Sequence, residues 1–133
     1  MPSSLFVYGT LEFPDVLRAV IGRRLHYVTA YAMEHRRALL RGRIYPGLTP
    51  CSGRTTRGRL YAGIEARDLA RLDDFEGSEY RRREIRVAVP RKPVTSAWSY
   101  VIPAEDASVL SATPWDPDAF ARRYRSDYIA RLS

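Results

Sequence analysis

Two neighbouring segments in the second half of the chain alternate between apolar and polar residues, a period of two that puts successive side chains on opposite faces of a β-strand. In residues 80–89, Ile85 and Val87 fall on one face and charged residues on the other. Residues 95–102 alternate in the same way, and residues 90–93 form a proline-containing turn between the two segments. The sequence therefore predicts an antiparallel hairpin.

Three further strands are expected upstream of this hairpin. A short apolar run at residues 5–8 ends at Gly9, and its composition is typical of a buried strand followed by a tight turn. A long, bent strand is expected at residues 29–40 and another at residues 57–64. Residues 42–50 contain two prolines and two glycines, a composition that favours a loop. We therefore predict a loop between these last two strands.

Helices are expected at three places. Residues 14–21 begin with a proline and are followed by Gly22, and residues 66–75 are followed by Gly77, which is placed to end that helix in a left-handed turn. The last helix begins after Asp116, whose side chain is suited to cap it. Apolar residues at a spacing of four predict its core-facing stripe, which consists of Phe120, Tyr124 and Tyr128.

The order of these elements defines the expected fold class. A chain of 133 residues has the size of one domain, so we predict a single domain over residues 1–133. Its class is α+β, with a mostly antiparallel, barrel-like sheet flanked by two or three helices. Regular alternation of strands with helices, which a doubly wound fold needs, is missing. Since no apolar run reaches about 18 residues, a membrane-spanning protein is excluded.

The charge balance leaves two interpretations open. The chain carries 22 basic and 15 acidic residues, a net charge of +7, and Lys92 is the only lysine. This arginine excess is explained by a GC-rich coding genome, or by a need for the planar guanidinium group, which binds anions. A nucleic-acid-binding module is the corresponding alternative function, with nine tyrosines available for stacking. Because the basic residues are spread along the whole chain, we expect no specific nucleic-acid partner.

Several kinds of site are excluded by the residues that the chain lacks. Its single cysteine, Cys51, cannot form an internal disulfide, and His26 and His35 lack the spacing of zinc ligands. Phosphate-binding loops, dinucleotide fingerprints and serine-hydrolase elbows are absent too. We therefore expect no metal or other cofactor. The early residues do not resemble a secretory signal, and a lone cysteine suits a reducing compartment, so a cytoplasmic location is expected.

Three short segments remain as candidates for a site. The first, called here the glycine turn, comprises Tyr8, Gly9, Thr10 and Leu11, and its successive backbone N–H groups can bind an anion. The second is Tyr45-Pro46-Gly47, and the third is Leu72-Asp73-Asp74-Phe75-Glu76-Gly77. The residue pattern alone does not choose among the three acids of this last segment. For Asp73 and Asp74 we expect capping, pairing with Arg67 or Arg71, or exposure to water.

Together with Gly58-Arg59-Leu60-Tyr61 and Tyr80-x-Arg82, these segments resemble the γ-glutamylcyclotransferase-like family, in the subgroup of AIG2-like proteins and γ-glutamylamine cyclotransferase. The resemblance implies a cyclotransferase-like fold, a small mixed β-barrel with helices around it. It also implies that the α-amine of a small γ-glutamyl substrate attacks its own side-chain amide, releasing 5-oxoproline and a free amine without a cofactor. Glu76 is then the catalytic residue, and the glycine turn binds the glutamyl group.

The chemistry of that reaction is consistent with a carboxylate whose pKa is raised. One group must take a proton from the ammonium and return one to the leaving amine, so its pKa should lie near neutral pH. Burial beside Phe75 and an aromatic wall of Tyr45, Tyr80 and Tyr128 would raise the pKa of Glu76 in this way. Tyr80, Tyr128 and Arg82 are further candidates for lining the pocket.

Other outcomes of the resemblance stay open at this point. The same fold can serve a non-catalytic protein that binds a small ligand, because a shared fold does not guarantee a shared activity. The identity of the leaving amine is not decided by these motifs. We expect a monomer or a weak homodimer.

Overall fold

The structure is a computed structural model, and it describes residues 3–132 of the chain. Five β-strands are present in this range: β1 Ser3–Val7, β2 Tyr27–Leu39, β3 Pro46–Ile64, β4 Arg81–Ala88 and β5 Thr95–Val101. The α-helices are α1 Pro14–Ile21, α2 Ala66–Glu76, α3 Pro117–Arg123 and α4 Arg125–Leu132. Two short 3₁₀ helices cover Thr10–Glu12 and Ala104–Val109. No helix in the described range is long and apolar enough to cross a membrane.

The strands form a closed barrel in the order β1-β3-β2-β4-β5. Neighbouring strands pair antiparallel except β1 and β5, which run parallel and close the barrel where Leu5 lies opposite Trp98. The predicted hairpin is confirmed, because β4 and β5 pair antiparallel with Ile85 opposite Ala97. The α+β class and the mixed barrel expected from the resemblance are both confirmed.

The loop predicted at residues 42–50 is wrong in its second half. β3 begins at Pro46 and pairs with β2 from there on, so only the first few of these residues form a loop. Proline is tolerated at the first position of a strand because no ladder bond from its nitrogen is needed there. Pro50 lies opposite His35, beside a bulge at which Glu34 adopts a left-handed backbone with φ of 58°. A bulge interrupts the ladder of backbone hydrogen bonds, so the strand tolerates Pro50 there although proline has no N–H to donate.

The predicted last helix is divided in two. Asp116 caps α3 as expected, because its side chain accepts a hydrogen bond of 2.9 Å from the backbone N–H of Asp118. Tyr124 ends α3 with a φ of −126°, and α4 begins at the next residue. The change of direction leaves Tyr124 38% exposed, while Phe120 is buried and Tyr128 half-buried. Tyr124 is therefore not part of the core-facing stripe.

Helices α1 and α2 closely follow the predicted bounds. α1 matches them, and Gly22 ends it in the left-handed conformation with φ of 81°. α2 extends one residue further than expected, to Glu76. Gly77 has a positive φ of 79° but an extended ψ of −173°, so the chain leaves α2 without the predicted left-handed turn. Glu76 is consequently the last helical residue before an abrupt change in chain direction.

Alternate residues of β1 pack into two different apolar clusters. Phe6 and Tyr8, the residue directly after β1, join a cluster with Ile85 and Val87. Glu84 and Arg86 on the other face of β4 are exposed, so this cluster fills the barrel interior. Leu5 and Val7 instead pack with the apolar faces of α1 and α2, outside the barrel. β1 is buried on both faces for this reason. Its C-terminal end, where the glycine turn begins, lies between barrel and helices.

Candidate active site

A cavity of about 250 Å³ opens at the end of β1. Its walls come from the glycine turn, the C-terminal end of α2, the start of β3, β5 and α4. The lining residues are Phe6, Val7, Tyr8, Gly9, Thr10, Leu11, Tyr45, Pro46, Phe75, Glu76, Tyr80, Tyr100 and Tyr128. Seven of the site residues named from the sequence are in this group, namely Glu76, Tyr80, Tyr128 and the four residues of the glycine turn. The fold therefore brings together segments that are far apart along the chain. Their roles in binding and catalysis remain predictions.

Glu76 lines the cavity with a half-buried side chain. Burial raises the pKa of its carboxyl group from 4.5 to about 8. Within residues 3–132 the carboxylate has no hydrogen-bond or ion-pair partner to offset that desolvation. Its pKa is therefore in the range in which one group can both accept and return a proton near neutral pH.

The tyrosine hydroxyls around the cavity donate to fixed acceptors of the protein. Tyr8 donates to the carbonyl of Tyr100 at 2.6 Å, and Tyr80 donates to the carbonyl of Pro46 at 2.7 Å. Burial raises the pKa of Tyr8, Tyr80 and Tyr100 above the usual value, so these phenols stay neutral at physiological pH. The wall beside Glu76 is therefore apolar and uncharged, which explains why the carboxylate is desolvated.

The last two residues of the glycine turn, Thr10 and Leu11, are also the first two residues of the 3₁₀ helix Thr10–Glu12. The first N–H groups of any helix have no partner within it, and here they belong to residues that line the cavity. Gly9 has a negative φ of −129°, so a left-handed backbone is not the reason for glycine at this position. A Cβ atom there would lie 3.0 Å from Cγ of Pro46. Close packing between the first two sequence segments is therefore the reason for this glycine.

The structure separates the three acids of the third segment. Only Glu76 lines the cavity, and Asp74 is exposed. Asp73 is not among the lining residues and accepts hydrogen bonds from Arg82 at 2.9 Å and from the Tyr100 hydroxyl at 2.6 Å. Of the alternatives expected for Asp73 and Asp74, exposure to water is the one observed for both. Asp73 does not pair with Arg67 or Arg71, because its ion-pair partner is Arg82 on β4.

Arg82, the third candidate for lining the pocket, lies outside it. Its guanidinium group stacks 4.5 Å from the ring centroid of Trp98 while it pairs with Asp73. In contrast, Tyr100 lines the cavity and was not among the candidates. The alternation of β5 placed Tyr100 on one face of a strand, but the sequence holds no signal for which face meets the cavity. Only closure of the barrel determines that.

Other reactive side chains are not part of this cavity. Cys51 is partly buried on β3 and, like His26 and His35, does not line it. Among the described residues, no group of three or more His, Cys, Asp or Glu side chains is arranged to hold a metal ion. Glu76 is accordingly the one acidic side chain among the lining residues of the described chain.

Comparison of the sequence with known families and proteins gives consistent matches. The profile of the family described as gamma-glutamyl cyclotransferase, AIG2-like, matches residues 5–117. AIG2-like protein C of Arabidopsis thaliana is 29% identical over 126 residues, which cover 94% of this chain and 73% of that protein. AIG2-like protein D of the same plant is 34% identical over 84 residues, or 63% of this chain and 55% of that protein. The chain thus spans about half to three quarters of these two relatives.

Solved structures share the fold. A solution structure of an Arabidopsis thaliana protein matches with a TM-score of 0.74 and 24% identity over 98% of this chain and 88% of that one. A structure named gamma-glutamyl cyclotransferase matches with a TM-score of 0.67 and 13% identity, over 99% of this chain and 86% of that one. A yeast cyclotransferase described as specific to glutathione matches with a TM-score of 0.63 and 13% identity, over 84% of this chain and 73% of that one.

Proposed function

The chain belongs to the gamma-glutamyl cyclotransferase, AIG2-like family, and on that premise we propose that it is a cofactor-independent enzyme that cleaves γ-glutamyl amines or γ-glutamyl-amino acids by ring closure. The products are 5-oxoproline and a free amine. The observation that carries the proposal is the position of Glu76, whose carboxyl group has no hydrogen-bond or ion-pair partner among the described residues, in a small cavity that the glycine turn also lines. Its pKa of about 8 suits a group that moves a proton in both directions.

Proton transfer defines the role of Glu76 in this reaction. The carboxylate takes a proton from the substrate α-ammonium, whose nitrogen then attacks the γ-carbonyl carbon. A tetrahedral intermediate forms, and the bond from that carbon to the leaving nitrogen breaks as Glu76 returns its proton to the departing amine. The second proton lost by the attacking nitrogen also ends on the departing amine, so no proton is gained or lost overall. Among the described residues, no other acidic side chain lines the cavity to share this task.

The cavity volume is suited to one part of a substrate and not to a whole substrate molecule. About 250 Å³ lies below the roughly 300 to 1,000 Å³ typical of pockets that enclose a whole drug-sized ligand. We therefore assign the cavity to the γ-glutamyl group and leave the amine portion outside. A folded glutamyl group held close to its attack geometry avoids the entropy loss of a bimolecular step. Aromatic side chains from Tyr45, Phe75, Tyr80 and Tyr128 would hold it in that shape.

Negative charge on the substrate needs donors, and the cavity supplies them from the backbone. No arginine or lysine is among its lining residues in the described chain. The N–H groups of Gly9, Thr10 and Leu11 are the candidates to bind the substrate carboxylate or the oxygen of the tetrahedral intermediate. Such fixed dipoles favour a negative charge without placing a cation beside Glu76, where it would lower the pKa of the carboxyl group.

The proposal is tested by product analysis. The protein is incubated with γ-glutamyl ethylamide, ε-(γ-glutamyl)-lysine, γ-glutamyl-alanine and glutathione, and 5-oxoproline is measured by mass spectrometry against the Glu76→Gln variant. Catalytic formation of 5-oxoproline from at least one compound by the wild type, and none by the variant, supports the proposal. Binding of these compounds without 5-oxoproline would identify the chain as a ligand-binding protein of the same fold, and would refute the enzymatic function.

A further inference from the structure

A largely buried charged pair lies next to the glycine turn but outside the cavity lining. Glu12 ends the 3₁₀ helix that follows the turn, and Arg37 projects from β2. Nη1 of Arg37 lies 3.5 Å from Oε2 of Glu12, and the two side chains are only 22% and 16% exposed. Oε2 is buried and accepts no hydrogen bond within the described residues. Neither residue lines the cavity, so the proposed reaction does not use them directly.

The same guanidinium group also holds the start of the turn. Nη1 of Arg37 donates a hydrogen bond of 2.7 Å to the backbone carbonyl of Tyr8. On the other side of the barrel wall, Arg59 of β3 donates to the backbone carbonyl of Glu12. Both ends of the segment from Tyr8 to Glu12 are thus fastened to neighbouring strands by arginine side chains. The residues between these two ends, Gly9, Thr10 and Leu11, line the cavity.

From this geometry we propose that Glu12 and Arg37 are positioning residues that hold the glycine turn in the form that binds the γ-glutamyl group. The carboxylate keeps the buried guanidinium group over the Tyr8 carbonyl. Without that negative charge, the desolvated guanidinium group of Arg37 has lost its ion-pair partner. It then gains solvation free energy by turning toward water. The Tyr8 carbonyl then loses its donor, and the turn loosens. The substrate part of this inference rests on the proposed cyclotransferase function.

We call the Glu12–Arg37 pair, together with the hydrogen bond from Arg37 to the Tyr8 carbonyl, the brace. Titration of Glu12 makes this brace sensitive to pH. Burial raises the pKa of its carboxyl group to about 7, although Arg37, Arg59 and Arg57 each act to lower it. Arg37 in turn faces Glu12, Tyr8 and Asp116, and burial lowers its pKa without discharging it near neutral pH. Protonation of Glu12 below about pH 7 therefore removes the main counterion of a group that stays positive. We expect the turn to loosen as the pH falls from 8 to 6.

The first test follows the turn itself and needs no substrate. Amide hydrogen exchange, corrected for the intrinsic effect of pH, is measured over residues 9–13 in the wild type, Glu12→Gln and Arg37→Lys. Glu105→Gln and Arg36→Lys are matched controls, since Glu105 is exposed and Arg36 lies on the opposite face of β2. At pH 8 both test variants should exchange faster than their controls, whereas the midpoint of denaturant unfolding for Glu12→Gln should be unchanged or higher. A residue needed only for stability would lower that midpoint.

The second test uses whichever γ-glutamyl compound the wild type converts. We expect KM to rise on the order of 10- to 100-fold in Glu12→Gln, the size expected for a misplaced binding group, with little change in kcat. KM of the wild type should rise as the pH falls through about 7, and that part of the pH dependence should vanish in Glu12→Gln but persist in Glu105→Gln.

The two tests separate the inference from the function on which it rests. If residues 9–13 exchange equally in Glu12→Gln and Glu105→Gln at pH 8, the brace is refuted whether or not the protein is an enzyme. If the wild type forms no 5-oxoproline, the proposed function fails, and the exchange result still decides whether the brace exists. If turnover is present but KM and its pH dependence are the same in both variants, the positioning role is refuted.

Discussion

The hydroxyl group of Tyr100 donates a hydrogen bond of 2.6 Å to Oδ1 of Asp73, which precedes Glu76 by one turn of α2. Tyr100 belongs to the cavity wall supplied by β5, and Asp73 belongs to the helix that carries the proposed catalytic acid. Residues three apart on a helix lie on neighbouring positions of its surface. The bond therefore ties the cavity wall supplied by β5 to the C-terminal end of α2.

Asp73→Asn should lower kcat/KM by roughly three- to tenfold, because a bond to a charged acceptor is worth about 1.5 to 3 kcal/mol and only part of that loss reaches the cavity. Arg82 loses its ion pair in the same variant. Asp74→Asn, which removes an exposed carboxylate from the next position, is the control and should keep the wild-type value. Equal kinetics in the two variants would show that this bond does not affect the cavity.

Glu76→Gln should retain the fold and substrate affinity but lose turnover on the order of 10²- to 10⁴-fold, the usual contribution of a general acid-base. The amide fills the same volume and cannot exchange a proton with the substrate. Steady-state kinetics together with calorimetric binding of the substrate separate the two effects. Turnover within about threefold of the wild type would remove Glu76 from the mechanism, whereas a loss of both binding and secondary structure would indicate misfolding.

Glu76 also makes stability depend on pH, with a sign that follows from its raised pKa. The folded-state pKa of about 8 exceeds the unfolded value of 4.5, so the folded protein binds the extra proton. The resulting stabilisation is complete below about pH 4.5 and is lost as the pH rises through about 8. Glu76→Gln should therefore be more stable than the wild type at pH 9, by on the order of 2 to 4 kcal/mol, and nearly equal to it at pH 4.5.

Denaturant unfolding at these two pH values measures the difference, and Asp74→Asn again serves as the control. A gain that is the same at both pH values would mean that packing, and not the buried charge, is responsible. A loss at pH 9 would contradict the raised pKa. The combination of lower activity and higher stability is expected for a residue whose burial serves chemistry.

Gly9→Ala should distort the glycine turn, because the added Cβ atom would lie 3.0 Å from Cγ of Pro46. Overpacking of this kind typically costs about 1 to 3 kcal/mol, and we expect KM to rise with it. Replacing Pro46 by alanine in the same chain removes the opposing atoms and should restore most of the affinity. Binding and unfolding measurements on the single and double variants check this. An additive effect of the two substitutions would exclude the contact with Pro46 as the cause.

The arginine excess should not produce specific binding of nucleic acid. Several guanidinium groups are engaged within the protein, for instance Arg23 with Asp68, Arg125 with Asp15, and Arg59 over the ring of Tyr27. We expect weak association at low salt that fades steeply as salt rises, as counterion release requires. Titration of labelled RNA and DNA pools at about 150 mM salt measures this. Submicromolar, sequence-dependent binding under those conditions would favour the nucleic-acid alternative.

Local patterns in the sequence were enough to predict the hairpin, α1, α2 and the placement of Glu76 at a helix end. The alternation of Ile85 and Val87 defined a strand face, and Gly22 and Gly77 marked helix ends. These features depend on neighbouring residues alone. The order of the elements predicted a barrel-like sheet, and the family resemblance added the mixed barrel and the expectation that three distant segments form one site.

Other features depend on partners that are remote along the chain, and the sequence did not reveal them. The first part of β3 has the composition of a loop and becomes a strand because β2 supplies its partners and the bulge at Glu34 accommodates Pro50. Tyr124 has the spacing of a core residue but leaves the stripe where the last helix breaks. Tyr100 meets the cavity only because β5 closes the barrel beside β1.

That closure also sets the order in which a newly made chain can acquire its site. The hydrogen bond from Tyr8 to Tyr100 joins positions 92 apart, and contacts of such long range form slowly because a large loop must be closed first. On the ribosome, β1 emerges early and then has no partner on one side until β5 has been synthesised. Tyr128 of α4, which follows β5 in the chain, joins the cavity wall later still. Recovery of the site after denaturation is therefore a direct report of completed folding.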